Sequence, residues 1–570
     1  MPFRLRPRVL SPRRPPLRLA ATLGLSLTLA ACGGGSKTTV TVLPTGTAAD
    51  CRALASASLT GLLISEASVQ EAASGYPVHC LTRGTTLDGR VRFELRNPLS
   101  TGWNGRLIVQ GTGAFAGQLD PAFGLYRSSE SPGLLAQGYA VLSNDTGHTG
   151  AQNFETYFLP LLDASWALNH PQAEQDFADR GTAAATQAGQ TLLRELFRRS
   201  RLRTYYVGCS GAGGQGMRMA ERAETLFDGF VIGDPTLAMA RDMQRVQWNL
   251  RAVTAYPLSL PKLRVLSAGV MQHCDPKDGA TDGIVSDPSR CDFDITTLAC
   301  PAGTDRADCL TTNEQLAAAL IYSGPRNSAN EAVAPGLPLT GSEDCGGFCD
   351  GGIDGFKRFA EGWPWWFLGG PTSYLDDPAA PAPLPTGRSF GAVVFDQYVR
   401  FLGSETDDAS RRWFTHDAIG DPSLVARGAA LYDIQRSDFS SFRTNGKRIL
   451  MYSGWADALI SPLELINFQL KVAAASGGFV ETRDFFRLFL VPGMQHCEGG
   501  RALDDFDAVD ALVRWVENNE VPNTLRARSR WNSAFPGRER DLCPYPEVST
   551  YVGSGSVDDP ASFRCTLPGS

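Results

Sequence analysis

The sequence predicts an α/β fold, a helix-covered sheet interrupted by a large insertion. Three observations carry that prediction. Residues from about 90 to 235 alternate strand-like and helix-like runs, as a sheet with covering helices requires. The same rhythm returns at Lys447 and runs to about residue 517. Between them, from 236 to 443, the chain is rich in Pro, Gly and Cys and the alternation stops. Two strand-bearing stretches around one interruption describe a single core domain, residues 49–235 and 444–535, that carries an inserted lid domain, residues 236–443.

The N-terminus stands apart from that fold. Arg4, Arg6, Arg8, Arg13, Arg14 and Arg18 precede an apolar run from 19 to 31, the order of an export signal rather than of a spanning helix. The run ends Leu29-Ala30-Ala31-Cys32 and continues Gly33-Gly34-Gly35-Ser36. This is like a bacterial lipobox, in which Cys32 would bear lipid at the head of a flexible tether, residues 32–48. The alternative is a secreted chain whose Cys32 is incidental. No other stretch is long and apolar enough to cross a bilayer, so a membrane enters only through that anchor. Loss of residues 1–31 removes six arginines and no acid, taking the formal charge from −7 to −13, which argues against nucleic acid as a partner. Oligomeric state is not legible.

In the first core stretch, residues 91–96, 105–110 and 139–143 read as strands, and residues 183–199, rich in Ala, Leu and Gln, read as an amphipathic helix. That helix runs into Tyr205-Tyr206-Val207-Gly208-Cys209-Ser210-Gly211-Ala212-Gly213-Gly214. There an aromatic and β-branched run gives way to small residues and then to a helix-like segment. Strand, sharp turn and helix in that order lift a Ser hydroxyl clear of the end of a sheet. Residues 229–235 close the stretch, and the insertion holds short helices such as 313–321. The second stretch offers strands at 447–453 and 485–491 and a helix near 506–517. Residues 536–570 form a C-terminal extension carrying Cys543 and Cys565.

Acyl transfer by a Ser needs a base that takes its proton and a carboxylate that orients the base. In the α/β-hydrolase order these stand as Ser, acid, His. Asp457 follows the 447–453 strand in Gly454-Trp455-Ala456-Asp457, and His496 follows the 485–491 strand in Pro492-Gly493-Met494-Gln495-His496-Cys497. Taken singly, Asp457 reads equally as a turn cap and His496 as a structural histidine; together with Ser210 their order and strand-end placement read as a triad. The developing oxyanion needs two N–H donors. Gly211, after the nucleophile, supplies one, and the loop 111–117 after the 105–110 strand supplies the other, assigned to Gly113 unless that loop is only a tight turn.

Twelve cysteines remain once Cys32 is set aside, an even number in a compartment where disulfides persist. Proximity suggests Cys51 with Cys80, Cys274 with Cys291, Cys300 with Cys309, Cys345 with Cys349 and Cys543 with Cys565, leaving Cys209 and Cys497 for each other, although sequence alone does not fix the pairing. A bridge between those two would hold their Cα atoms roughly 5.5 Å apart and draw Ser210 and His496 together. The competing reading is a metal site at Cys345-Gly-Gly-Phe-Cys349, which lacks a second ligand pair.

At this point the residues resemble the tannase and feruloyl esterase family over most of the chain. The resemblance is carried by Trp103-Asn104-Gly105-Arg106, the 111–117 loop, Asn144-Asp145-Thr146-Gly147-His148, Asp176-Phe177, Gly208-Cys209-Ser210, Gly454-Trp455-Ala456-Asp457 and Val491-Pro492-Gly493-Met494-Gln495-His496-Cys497. It implies a serine esterase acting on a small aromatic ester, with Cys209, Ser210, Asp457, His496 and Cys497 in the family's Cys-Ser-Asp-His-Cys arrangement. His148 matches a motif and is expected to make a structural hydrogen bond near the site. One departure is Ala212, where the family has Gly, which places a methyl group in a closely packed turn.

The loop Cys274-Asp275-Pro276-Lys277-Asp278-Gly279-Ala280-Thr281-Asp282-Gly283-Ile284 offers hard oxygen donors. Read alone it is equally a solvated acidic loop. The resemblance implies a structural Ca²⁺ held by the side chains of Asp275, Asp278 and Asp282 and the carbonyls of Ala280 and Ile284. Substrate choice is expected from the lid, where Gly362-Trp363-Pro364-Trp365-Trp366-Phe367 would stack on a planar acyl group or else pack in the core. Within the esterase class the alternative is a terephthalate monoester hydrolase, which needs a cation in the lid such as Arg400. From another class, the chain would be a ligand-binding lipoprotein that has lost turnover.

Overall fold

Nine strands form one sheet in the computed structural model, which describes residues 45–124, 133–153, 156, 159–344, 362–368, 389–530 and 534–568. In chain order they are β1 (Leu63–Gln70), β2 (His79–Thr86), β3 (Val91–Pro98), β4 (Arg106–Gln110), β5 (Ala140–Asn144), β6 (Arg203–Cys209), β7 (Gly229–Gly233), β8 (Arg448–Gly454) and β9 (Phe486–Val491). Across the sheet they run β1-β2-β3-β5-β4-β6-β7-β8-β9. The first three and β5 pair antiparallel, and from β5 onward every pairing is parallel. The predicted export signal, the predicted tether from Cys32 as far as residue 44, and the expected Cys345 and Cys349 pair lie outside the described residues.

Local sequence accounts for the layering. β5, β7 and β9 are buried along their whole length, as parallel strands covered on both faces must be. In β6 the side chains of Tyr205 and Tyr206 point to opposite faces. The Tyr205 hydroxyl donates to Glu517 at 2.7 Å on the helix Ala508–Asn518, and the Tyr206 hydroxyl donates to the Ala212 carbonyl at 2.8 Å on the helix Gly211–Arg222. Two apolar cores follow, one around Tyr205, Leu450, Phe489 and Trp515, the other around Tyr206, Leu107, Phe230 and Met451. The chain order reverses around β4, with β5 on one side and β6 on the other, so the carboxyl ends of β4 and β6 flank a crevice.

From sequence, the strands begin at residue 91 and the insertion, 236–443, holds only short helices. The structure adds β1 and β2 at the sheet edge and long helices Met239–Ala255, Leu260–Cys274 and Phe390–Phe401 in the segment between β7 and β8. Beyond the sheet, β10 (Leu525–Arg528) pairs with β11 (Glu539–Leu542), and β12 (Val548–Tyr551) with β13 (Phe563–Thr566). The Tyr545 N–H donates to the Leu488 carbonyl at 2.7 Å, which seats this extension on β9. Disulfides join Cys51 to Cys80, Cys209 to Cys497, Cys274 to Cys291, Cys300 to Cys309 and Cys543 to Cys565. Among the described residues no helix is long and apolar enough to cross a membrane.

Candidate active site

Ser210 stands between β6 and the helix Gly211–Arg222 with φ 65° and ψ −130°, a backbone state that costs a non-glycine residue about 1–3 kcal/mol. Small neighbours allow the turn. A Cβ on Gly208 would lie 2.7 Å from the Ala212 carbonyl oxygen, and one on Gly213 would lie 2.4 Å from that of Gly233. Ala212 itself is buried and its methyl points toward Gly111 and Gly208, where added Cβ atoms would sit only 2.8 and 2.9 Å away. The methyl therefore fits because its two neighbours lack one.

The crevice gathers residues from four strand ends. His496 Nε2 lies 2.8 Å from Ser210 Oγ, and His496 Nδ1 lies 2.7 Å from Asp457 Oδ2. Asp457 is buried, and its Oδ1 accepts from the N–H groups of Leu459 and Ile460 at 2.8 and 2.9 Å. A carboxylate held on one oxygen and aimed with the other fixes the imidazole ring. The Cys209–Cys497 bridge, with Cα atoms 6.1 Å apart, ties the residue before Ser210 to the residue after His496. Behind the His lies Asp234, which the sequence reading passed over as the end of a strand. Its carboxyl is pushed up to about 7, first by burial and then by the charge of Asp457. Cys209, Asp234 and Cys497 cluster tightly, but the sulfurs are bonded to each other and offer no thiolate to a metal.

Gly211 heads the helix, and the 111–117 loop lies against it: a Cβ on Gly211 would meet Ala114 backbone oxygen at 2.3 Å. Gly113 and Gly211 both line the cavity. His148 is buried beside that loop, stacked on Trp166 with ring centroids 3.6 Å apart, and its Nε2 donates to the Phe115 carbonyl at 2.9 Å. Burial drives its pKa down to about 4, so the ring is neutral.

A cavity of about 380 Å³ opens above Ser210. Its walls are largely apolar: Phe115, Leu161 and Leu162 from the core, and Met239, Met243, Trp366, Phe390 and Val394 from the β7–β8 insertion. Thr112, Gln118 and Asp120 form a polar end, where the Asp120 carboxylate accepts from Gln118 Nε2 at 2.7 Å and Thr112 Oγ1 at 3.3 Å. Of the predicted aromatic cluster only Trp366 reaches the cavity, edge-on to His496 at 5.6 Å. Trp363 packs on Tyr322 and Trp365 on Phe390. Arg400 is buried over the Phe401 ring and does not line the cavity, and among the described residues no Arg or Lys does.

The acidic loop lies elsewhere, after the helix Leu260–Cys274. Asp275, Asp278, Ala280, Asp282 and Ile284 are all buried. Asp275 accepts from the N–H groups of Asp282 and Gly283, and Asp282 Oδ2 pairs with Arg540 of β11 at 2.6 Å, a partner that local sequence does not reveal. Asp278 Oδ2 is buried and out of hydrogen-bond geometry, with the Ser286 hydroxyl beside it, and burial lifts this carboxyl to about 6. Three buried carboxylates, one with an unsatisfied oxygen, and adjacent carbonyls are a donor set that fits a hard divalent cation.

Against known proteins, the family model described as Tannase and feruloyl esterase matches residues 81–566. Mono(2-hydroxyethyl) terephthalate hydrolase of Piscinibacter sakaiensis is 29% identical over 87% of this chain and 86% of its own. An uncharacterized esterase of Xanthomonas campestris pv. campestris is 28% identical over 96% of each. The crystal structure of feruloyl esterase B from Aspergillus oryzae superposes with a TM-score of 0.71 at 20% identity, covering 91% of this chain and 100% of that one. The sheet and its helices are thus α/β-hydrolase-like.

Proposed function

The chain belongs to the tannase and feruloyl esterase family, and from that premise we propose that it is a serine carboxylic-ester hydrolase that cleaves esters of aromatic acids, hydroxycinnamates or gallates, through an acyl-enzyme. One observation carries the reading: an unbroken hydrogen-bonded line from Asp457 through His496 to Ser210 at the floor of an apolar, aromatic-walled cavity. His496 takes the Ser210 proton as Oγ attacks the ester carbonyl, then returns it to the leaving alcohol. Asp457 holds the imidazole tautomer, and the N–H groups of Gly211 and Gly113 receive the oxyanion. Water, activated by the same His, releases the acid.

The β7–β8 insertion, residues 236–443, acts as the lid of a core formed by 49–235 and 444–535, with 536–570 as a stapled extension. Asp275, Asp278 and Asp282, with the carbonyls of Ala280 and Ile284, would hold a Ca²⁺ that stiffens the lid and takes no part in the chemistry. Residues 1–31 direct export, and Cys32 anchors the 32–48 tether.

The terephthalate relative supports a second reading, cleavage of a terephthalate monoester. A distal carboxylate needs a cation, whereas the described cavity lining offers the Asp120 carboxylate instead, which favours an uncharged phenolic acyl group. The test is hydrolysis of p-nitrophenyl acetate, methyl ferulate, methyl gallate and a terephthalate monoester by wild type and Ser210→Ala. Wild type is expected to prefer the neutral phenolic esters, and the variant to lose about 10⁴–10⁶-fold in kcat. Fastest turnover of the monoester would establish the second reading. A wild type inert to all four would leave only ligand binding.

A further inference from the structure

Asp234 is a buried carboxylate that the proton relay does not use. It follows β7, the strand between those that end at Ser210 and Asp457. Its Oδ1 accepts from Ser453 Oγ at 2.8 Å and from the Gly454 N–H at 2.9 Å. Its Oδ2 accepts from the Cys497 N–H at 2.9 Å and lies 3.7 Å from Cys209 Sγ. Its own N–H donates to the Tyr452 carbonyl, and the Gly233 carbonyl before it accepts from the Ser210 N–H, both at 2.9 Å. The dipeptide Gly233-Asp234 thus holds the Ser, Asp and His segments at once, by hydrogen bonds alone.

We infer that Asp234 is a positioning residue of this catalytic centre, which locks the backbone beside His496 to the strand leading to Asp457 and sets a second negative charge behind the imidazole. The inference rests on the serine-esterase reading above. The Ser453 hydroxyl and the Gly454 and Cys497 N–H groups stabilise the ionised form, against the burial and the Asp457 charge that oppose it. The titratable groups that face it are Asp457 and His496. From β8 it otherwise meets a hydroxyl and an amide, and from β6 and the His segment a disulfide that does not titrate.

Asp234→Asn keeps the size, removes the charge and turns an N–H₂ toward a donor. Hydrogen bonds to charged groups of this kind predict a kcat lower by about 10–100-fold on methyl ferulate with KM changed little. Without the second negative charge the imidazolium is less favoured, so the acid limb of the kcat/KM pH profile moves to lower pH. Active-site titration with an organophosphate counts competent Ser210, so a merely unfolded fraction is separated from a slower site. An Asn variant with wild-type kcat per titrated site and an unmoved acid limb overturns the proposal. Should that variant fail to fold, Ser453→Ala, which removes one donor to Oδ1, is expected to lower kcat about threefold or more, and wild-type kcat there is the overturning result. Failure of the esterase reading itself looks different, because wild type would then be inactive or Ser210→Ala would remain active.

Discussion

One methyl group shows how tightly the turn around Ser210 is built. Ala212 fits because Gly111 and Gly208 face it, so Ala212→Val is expected to push β4 or β6 away and cost more than about 1 kcal/mol through overpacking, with a loss of activity larger than the loss of folded protein. Ala212→Gly is expected to keep esterase activity within a few-fold while lowering Tm through helix propensity, about 1 kcal/mol; thermal melts and initial rates on both variants decide. At this scale Ser210, Asp457 and His496 were legible because each follows a strand-like run, and polar residues at strand ends read as chemistry rather than packing. Asp234 carries the same signal after 229–233, but the Ser, acid, His order has one acid place and Asp457 filled it. Met239, Met243, Phe390 and Val394 could not be singled out, since an apolar residue on a buried helix looks alike whether it faces a core or a cavity.

At the scale of elements, the helix Met239–Ala255 is where local reading failed, for a physical reason. Its buried positions include Asp242, Gln244, Arg245, Gln247 and Asn249; Arg245 donates to Asp242 and to the Leu459 carbonyl, and Gln244 to the Ala418 carbonyl, each at 2.7 Å. The stripe Met239, Met243, Val246, Leu250 and Val253 keeps the helical period, but the polar residues between them read as a solvated face, whereas the fold buries that face too. The same helix carries a pH-dependent contact. Asp433 accepts from the Ala240 N–H, and its carboxyl is pushed up to about 7 by burial and by Asp242. A carboxyl whose folded pKa is raised holds a proton that the unfolded chain releases, so its stabilisation is full below about pH 4 and is lost as pH rises through about 7. Asp433→Asn should therefore flatten the fall in Tm between pH 5 and 8, measured by scanning calorimetry; an unchanged slope would assign that fall to other groups.

Over the whole molecule, the acidic loop joins parts of the chain far apart in sequence. Arg540 from β11 meets Asp282, and Arg538, just before that strand, donates to the Asp282 carbonyl at 2.8 Å. If Ca²⁺ fills this loop, chelation by EDTA should lower Tm by several degrees and calcium should restore it, a gain of about 2.7 kcal/mol at a hundredfold excess over Kd. Activity per folded molecule should stay unchanged, since the cation does no chemistry. A Tm indifferent to both would leave Asp275, Asp278 and Asp282 as a loop tied by backbone amides and arginine. The α/β alternation, the polar residues at strand ends and the even set of cysteines can be read off the chain directly, because period, residue type and parity are local properties. Which sulfurs and carboxylates meet, that Gly233-Asp234 touches the segments bearing Ser210, Asp457 and His496, and that the insertion walls the cavity emerge only from the fold. Those contacts join residues hundreds of positions apart, and nothing short of the folded sheet brings them within bonding distance.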